Sequence, residues 1–253
     1  GEYALVSTYW QTERPHELEG GNHLRAAMTL PELADTLKIS ETTARERLET
    51  ARGKLISERE NRILPTDDKL IAGWNGLALS AYSEAALLLD DEGYRQQAAL
   101  IRNFLVNTLW NGEGLQRSEA AGKLLGSASL EDYAYVSRAL FDYARLSEEN
   151  SDYKLAEQVL AQGWGRFYRH NAWSYADASL LPPADGEEML SDDSSASPSA
   201  VLIATTLALY KAGKLENDAL YSRALSALNR GEDTLLSSPF WYASQIAAMQ
   251  EVR

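Results

Sequence analysis

Two short stretches set carboxylates where they could do chemistry. In "LPTDDKLIAGWNGLALSAYSEAA", Asp67, Asp68 and Lys69 stand just ahead of Trp74, Asn75 and Gly76. In "LEDYAYVSRALFDYARLS", Glu131, Asp132 and Tyr133 open another apolar run. A carboxylate from each of two helix starts is what glycoside hydrolysis uses: one protonates the leaving oxygen, the other activates water or attacks carbon. Asp68 and Asp132 are the acid/base pair in that reading. Asp67, Lys69, Asn75 and Glu131 orient substrate hydroxyls, and Trp74 and Tyr133 offer apolar platforms. Trp173 and Tyr175 are further aromatic candidates for stacking on sugar faces.

The same residues have a second reading. An acidic side chain near a first helical turn caps N–H groups and compensates the helix dipole. Ser129 is a plausible N-cap, which places Asp132 at N3 of a capping-box-like start. Asp68 and Lys69 could likewise pair with Arg59, Arg62 or neighbouring charges. The catalytic and structural readings both stand at this level.

These residues need a scaffold, and helical periodicity dominates the chain. The apolar stripe beginning at Leu77 ends at Asp90-Asp91-Glu92-Gly93, and a second helix runs from Tyr94 to Trp110. The plan recurs from "LEDYA" and again from "SPSAVLIATTLALYKAG", with helix starts roughly 60 residues apart, longer than the usual solenoid repeat of about 20–50. The first helix of each pair is apolar nearly all round and should be buried. The second carries more charge and should face water. Inner and outer helices alternating in this way predict an all-α fold, a partial α/α toroid of helical hairpins with short irregular or β-hairpin connectors. The inner helices of such a ring run parallel, so their N-terminal ends share one mouth. The 253 residues are read as one toroid domain, with 1–28 an irregular lead-in, 29–60 a helical hairpin and 61–253 the inner/outer pairs.

Composition removes several functions. There is no cysteine, so thiol catalysis and thiolate metal sites are excluded. The three histidines, His16, His23 and His170, lack the spacing of a helical metal pair, and no metal or cofactor is expected. His170 follows an outer helix, away from the mouth. A net charge of −13 argues against nucleic acid as a partner. "LPELADTLKISETTARERLETARGKL" has the outline of a helix-turn-helix, but residues 29–59 carry six basic and six acidic side chains. Glu41, Glu46 and Glu49 would repel phosphate from the reading helix. The segment is read instead as a hairpin packed on the toroid, its second helix capped by Ser40. No run is apolar enough to span a bilayer, so no membrane partner is expected, and the location expected is cytoplasmic. The stretch "SDDSSASPSA" reads as a connector, or as a lid over the mouth.

One motif is specific. Asp67-Asp68-Lys69, four residues, then Trp74-Asn75-Gly76-Leu77, with Arg59, Arg62 and Pro65 upstream, resembles the thioredoxin-domain-containing family related to spermatogenesis-associated protein twenty. "LEDYA" matches a second motif of that family. Pro198-Ser199 matches part of a third, with Ala200-Val201 where the family usually has glycine and asparagine. The resemblance implies a toroid similar to N-acylglucosamine 2-epimerase and the six-hairpin glycosidases. It also implies a longer protein whose thioredoxin-like domain would be a partner of this C-terminal portion. A small-molecule carbohydrate is the ligand class it points to. The competing function is a non-catalytic scaffold that docks the thioredoxin-like domain or another protein.

Overall fold

A computed structural model of the chain describes residues 2–14, 23–177 and 186–252. His16 lies outside them. The chain divides into two compact units, 1–67 and 68–253, where the sequence reading treats it as one domain.

The first unit holds three helices: α1 (Glu2–Trp10), α2 (Leu30–Leu37) and α3 (Glu41–Glu60). The expected irregular lead-in is thus helical over its first part. Leu5, Val6 and Tyr9 fall on one face of α1 and pack with Leu33, Ala34 and Ala44. That stripe is too short to stand out as a periodic signal. α2 starts on a capping box in which Thr29 and Glu32 satisfy each other's backbone N–H groups. Ser40 caps α3 as expected, its hydroxyl accepting the Thr43 N–H at 3.1 Å.

The second unit repeats a hairpin of helices three times. The pairs are α4 (Ala72–Leu89) with α5 (Glu92–Phe104), α6 (Leu130–Ser147) with α7 (Asn150–Phe167), and α8 (Pro198–Lys211) with α9 (Asp218–Leu228). A single π turn, Leu105–Leu109, extends α5. α10 (Glu232–Ser237) and α11 (Ala243–Gln250) complete the described chain. α6 packs against both α4 and α8, so the first helices of the three pairs form a consecutive row. Thirteen of the 18 residues of α6 are buried, Asp132, Ser137 and Asp142 among them. α5 and α7 are the less buried partners. Arg102 of α5 reaches Asp152 of α7 at 2.9 Å, and Trp164 of α7 donates to the Thr206 hydroxyl of α8 at 2.9 Å.

Two connectors contain β-hairpins, where the sequence allows irregular or β-hairpin links. β1 (Leu70–Ile71), β2 (Gln116–Ala120) and β3 (Lys123–Ser127) form one antiparallel sheet in that order. β4 (Tyr168–Arg169) and β5 (Ala172–Trp173) form another. His170 and Asn171 make the turn between β4 and β5 with φ of 52° and 65°, the positive pair a two-residue hairpin turn demands. His170 is therefore a turn residue.

Candidate functional site

The row of inner helices is held together at its N-terminal ends. Gly73 in the first turn of α4 donates its N–H to Asp132 Oδ1 at 3.0 Å. Asp132 Oδ2 accepts from the Ser129 N–H at 2.8 Å and the Ser129 hydroxyl at 2.9 Å, closing the capping box of α6. Arg117 of β2 reaches the same oxygen at 3.2 Å. The helices touch closely enough that a Cβ on Gly76 would sit 2.9 Å from the Tyr135 carbonyl carbon. On the other side of α6, the Tyr135 hydroxyl donates to the Ala196 carbonyl at 2.6 Å, one residue before the α8 cap Ser197. α4, α6 and α8 therefore run parallel with their N-termini at one end, the shared mouth that the sequence predicts.

A second carboxylate repeats the device. Asp192 accepts the Ser197 N–H at 2.8 Å and the Ser244 N–H at 2.9 Å, joining the start of α8 to the start of α11. Burial alone would raise the Asp192 pKa. Hydrogen bonds from the Ser244 hydroxyl and from the backbone of Ser244, Ser197 and Ala243 outweigh it and hold the group below the ordinary carboxylate value. The Ser/Asp-rich stretch is thus pinned through Asp192.

Around these clamps lies an electronegative, tyrosine-bearing rim. Tyr175 is 50% exposed, and its backbone carbonyl accepts the Leu130 N–H at the start of α6. Burial of part of the ring raises its hydroxyl pKa, and the fields of Glu187, Asp193, Tyr242 and Glu131 raise it further. The Tyr135 pKa is raised first by burial; a hydrogen bond to Ser195 opposes this, and Glu131 and Asp192 add to the rise. Glu131 is half-buried and acts on both tyrosines. Such a rim offers acceptors and a ring edge to hydroxyl groups. Among the described residues no group of three or more His, Asp or Glu is placed to hold a metal ion.

The residues singled out by sequence divide accordingly. Asp132 is 2% exposed with both oxygens engaged, so its surroundings are those of a clamp. Tyr133 is also 2% exposed. Its ring packs on Phe167 at 5.5 Å and its hydroxyl accepts the Leu115 N–H at 2.8 Å, which leaves no face for a sugar. Trp173 is buried in the same way, against Trp164 and Tyr168. Asn75 lies inside the first turn of α4, because that helix begins at Ala72; its amide donates to the Ile71 carbonyl at 2.9 Å. Trp74 is 66% exposed. Asp68 and Lys69 are exposed at the start of the second unit, whereas Asp67 is exposed at the end of the first. Sequence reading missed Tyr135, Asp192 and Asp193. Tyr135 could have been found, since it follows Glu131 by four residues and shares its helix face.

Comparison with known proteins fits this picture. No protein-family model matches the chain. Human spermatogenesis-associated protein 20 is 28% identical over 148 residues, covering 53% of this chain and 19% of that protein. The mouse protein of the same name is 31% identical over 147 residues, covering 53% and 18%. An uncharacterized protein of Caenorhabditis elegans is 24% identical over 236 residues, 89% of this chain and 32% of its own length. The chain thus spans between about a fifth and a third of these relatives. Among solved structures, a sugar epimerase from a ruminal bacterium matches 68% of this chain and 46% of its own, with a TM-score of 0.53 and 18% identity. Cellobiose 2-epimerase from Bacillus thermoamylovorans matches 66% and 45%, with a TM-score of 0.50 and 19% identity. In sequence part of the chain is similar to the spermatogenesis-associated protein 20 proteins, and in fold its helical hairpins form a partial α/α toroid like those epimerases.

Proposed function

We propose that the second unit is a carbohydrate-handling toroid domain that meets a neutral saccharide at the inner-helix mouth. The observation that carries this reading is the rim itself: a half-exposed tyrosine, Tyr175, whose backbone carbonyl accepts the Leu130 N–H at 3.0 Å beside the half-buried Glu131 at the start of α6. Sugar hydroxyls donate well to carboxylates, and the apolar face of a pyranose covers an aromatic ring. The fold likeness to sugar epimerases supports the ligand class. Helix N-termini ordinarily attract anions. Here Asp132 and Asp192 already occupy N–H groups at the starts of α4, α6 and α8, and further carboxylates surround them, so a phosphorylated sugar is disfavoured.

If the site does chemistry, Glu131 is the α6 carboxylate suited to proton transfer, with Asp68 the second acidic group to test. Asp132 positions helices instead. Isothermal titration of the chain with cellobiose, mannose, glucose and glucose 6-phosphate tests the reading. Neutral sugars should bind and glucose 6-phosphate should bind more weakly than glucose, with Tyr175→Ala and Glu131→Gln reducing the neutral-sugar affinity. Binding of none of the neutral sugars, or affinities indifferent to both substitutions, would sink it.

A further inference from the structure

The first unit contains a feature that the toroid reading does not use. α3 is 20 residues long, whereas α2, which pairs with it, has 8. At about 1.5 Å per residue α3 outruns α2 by roughly 18 Å. Every residue from Arg52 to Glu60 is exposed. This overhang is not a plain solvated surface. Leu55 and Ile56 are 46% and 50% exposed and, with Leu48, form the apolar floor of a groove of about 750 Å³. Arg52, Arg59 and Arg62 line the same groove, against one acidic residue, Glu49. Among the described residues none of the three arginines has an ion pair; the pair on this stretch of α3 is Lys54 with Glu2.

The spacing identifies the occupant. Leu48 and Leu55 are seven residues apart, and so are Arg52 and Arg59, which follow each leucine by four. That is the arrangement of a coiled-coil seam with flanking charges that choose the partner. The two arginines lie about 10 Å apart along the axis, too far for one carboxylate to engage both. Acidic side chains seven residues apart on a second helix match that separation. Another copy of this chain would bring the same three arginines against themselves, and a nucleic acid backbone would meet leucine and isoleucine between the cations. We infer that the exposed C-terminal half of α3 is a docking surface for an acidic amphipathic helix of a partner protein segment.

The test uses the full chain and a fluorescein-labelled synthetic helix of three heptads, with Leu at the first and fourth positions and Glu at the fifth and seventh. A matched peptide carries Lys for Glu. Anisotropy should show binding of the Glu helix that weakens as salt is raised, and no comparable binding of the Lys helix. The double variant R52E/R59E should weaken the Glu helix by roughly tenfold or more and strengthen the Lys helix, since reversing exposed pairs replaces attraction by repulsion. The substituted arginines are exposed, and a far-UV spectrum with Arg62→Glu as a second, milder variant guards against misfolding. The inference is overturned by equal binding of both peptides, by failure of the Glu helix to bind, or by an unchanged affinity in the variants. It is also overturned if a labelled DNA duplex binds more tightly than the Glu helix, or if sedimentation shows self-association that Leu55→Asp abolishes.

Discussion

Replacing Asp132 separates a structural carboxylate from a chemical one. In Asp132→Asn, Oδ1 still accepts the Gly73 N–H, but an amide donor now faces the Ser129 N–H, the Ser129 hydroxyl and Arg117. The hydroxyl can rotate to accept. The Ser129 N–H cannot, and an unpaired buried donor costs about 2 kcal/mol. Arg117 is 46% exposed and returns to water, so its loss is worth at most about 1 kcal/mol. The expected destabilisation is about 3 kcal/mol. Asp132→Ala also strands the Gly73 N–H, which brings the total to about 5 kcal/mol. Urea unfolding followed by tryptophan fluorescence is the assay, because five of the six tryptophans belong to the second unit. At a urea concentration where the Asn variant remains folded, saccharide binding should persist. An Asn variant within about 1 kcal/mol of the parent chain that no longer binds sugar would refute the clamp and return Asp132 to the acid/base pair.

Three further outcomes follow from the same packing. Gly76→Ala drives a methyl to 2.9 Å from the Tyr135 backbone and should cost roughly 2–3 kcal/mol, read as a lower urea midpoint. Glu157 accepts the Glu216 and Asn217 N–H groups at 3.0 and 2.8 Å ahead of α9; Glu157→Gln should cost about 1–2 kcal/mol and speed amide exchange at those two residues. The Asp192 pKa is lowered on folding, so its contribution is present above the unfolded value near 3.9 and is lost as pH falls through the folded value. Asp192→Asn should therefore shrink the drop in Tm between neutral pH and about pH 3, and an unchanged drop would deny Asp192 that role.

Much of this arrangement was legible in the sequence because the signals were periodic or local. The Ala-, Leu- and Tyr-rich run from Leu130 pointed to a buried helix, and Ser129 with Asp132 pointed to the capping box. A β-hairpin connector was among the alternatives, but nothing local placed His170-Asn171 at its turn, whose positive φ values serve the two-residue link between β4 and β5. Tyr133 was misplaced for a different reason. Its neighbours are acidic, but side-chain direction follows the helix rotation and not the sequence neighbourhood. The long-range partners were also beyond reach: nothing local ties Asp132 to Gly73 or Asp192 to Ser244, which lie 59 and 52 residues away.

Rotation also explains how adjacent carboxylates on α6 take opposite roles. Successive residues on a helix point about 100° apart. Once Asp132 turns inward to close the capping box and hold α4, Glu131 points away from it, while Tyr135, one turn later and 3% exposed, lies between them with its ring beside Gly73 and its hydroxyl on the Ala196 carbonyl. The clamp and the candidate binding face are therefore a single geometric choice, fixed by Ser129 as the helix start. Moving that cap back by one residue would place Glu131 at N3, in the interface with α4, and carry Asp132 to the buried position that Tyr133 holds against Phe167. The electronegativity of the rim has the same origin. Two carboxylates are consumed in joining parallel helix starts that would otherwise bind anions, and those left beside them repel further negative charge. This is the physical basis on which the proposed function takes a ligand that brings hydroxyls rather than phosphate.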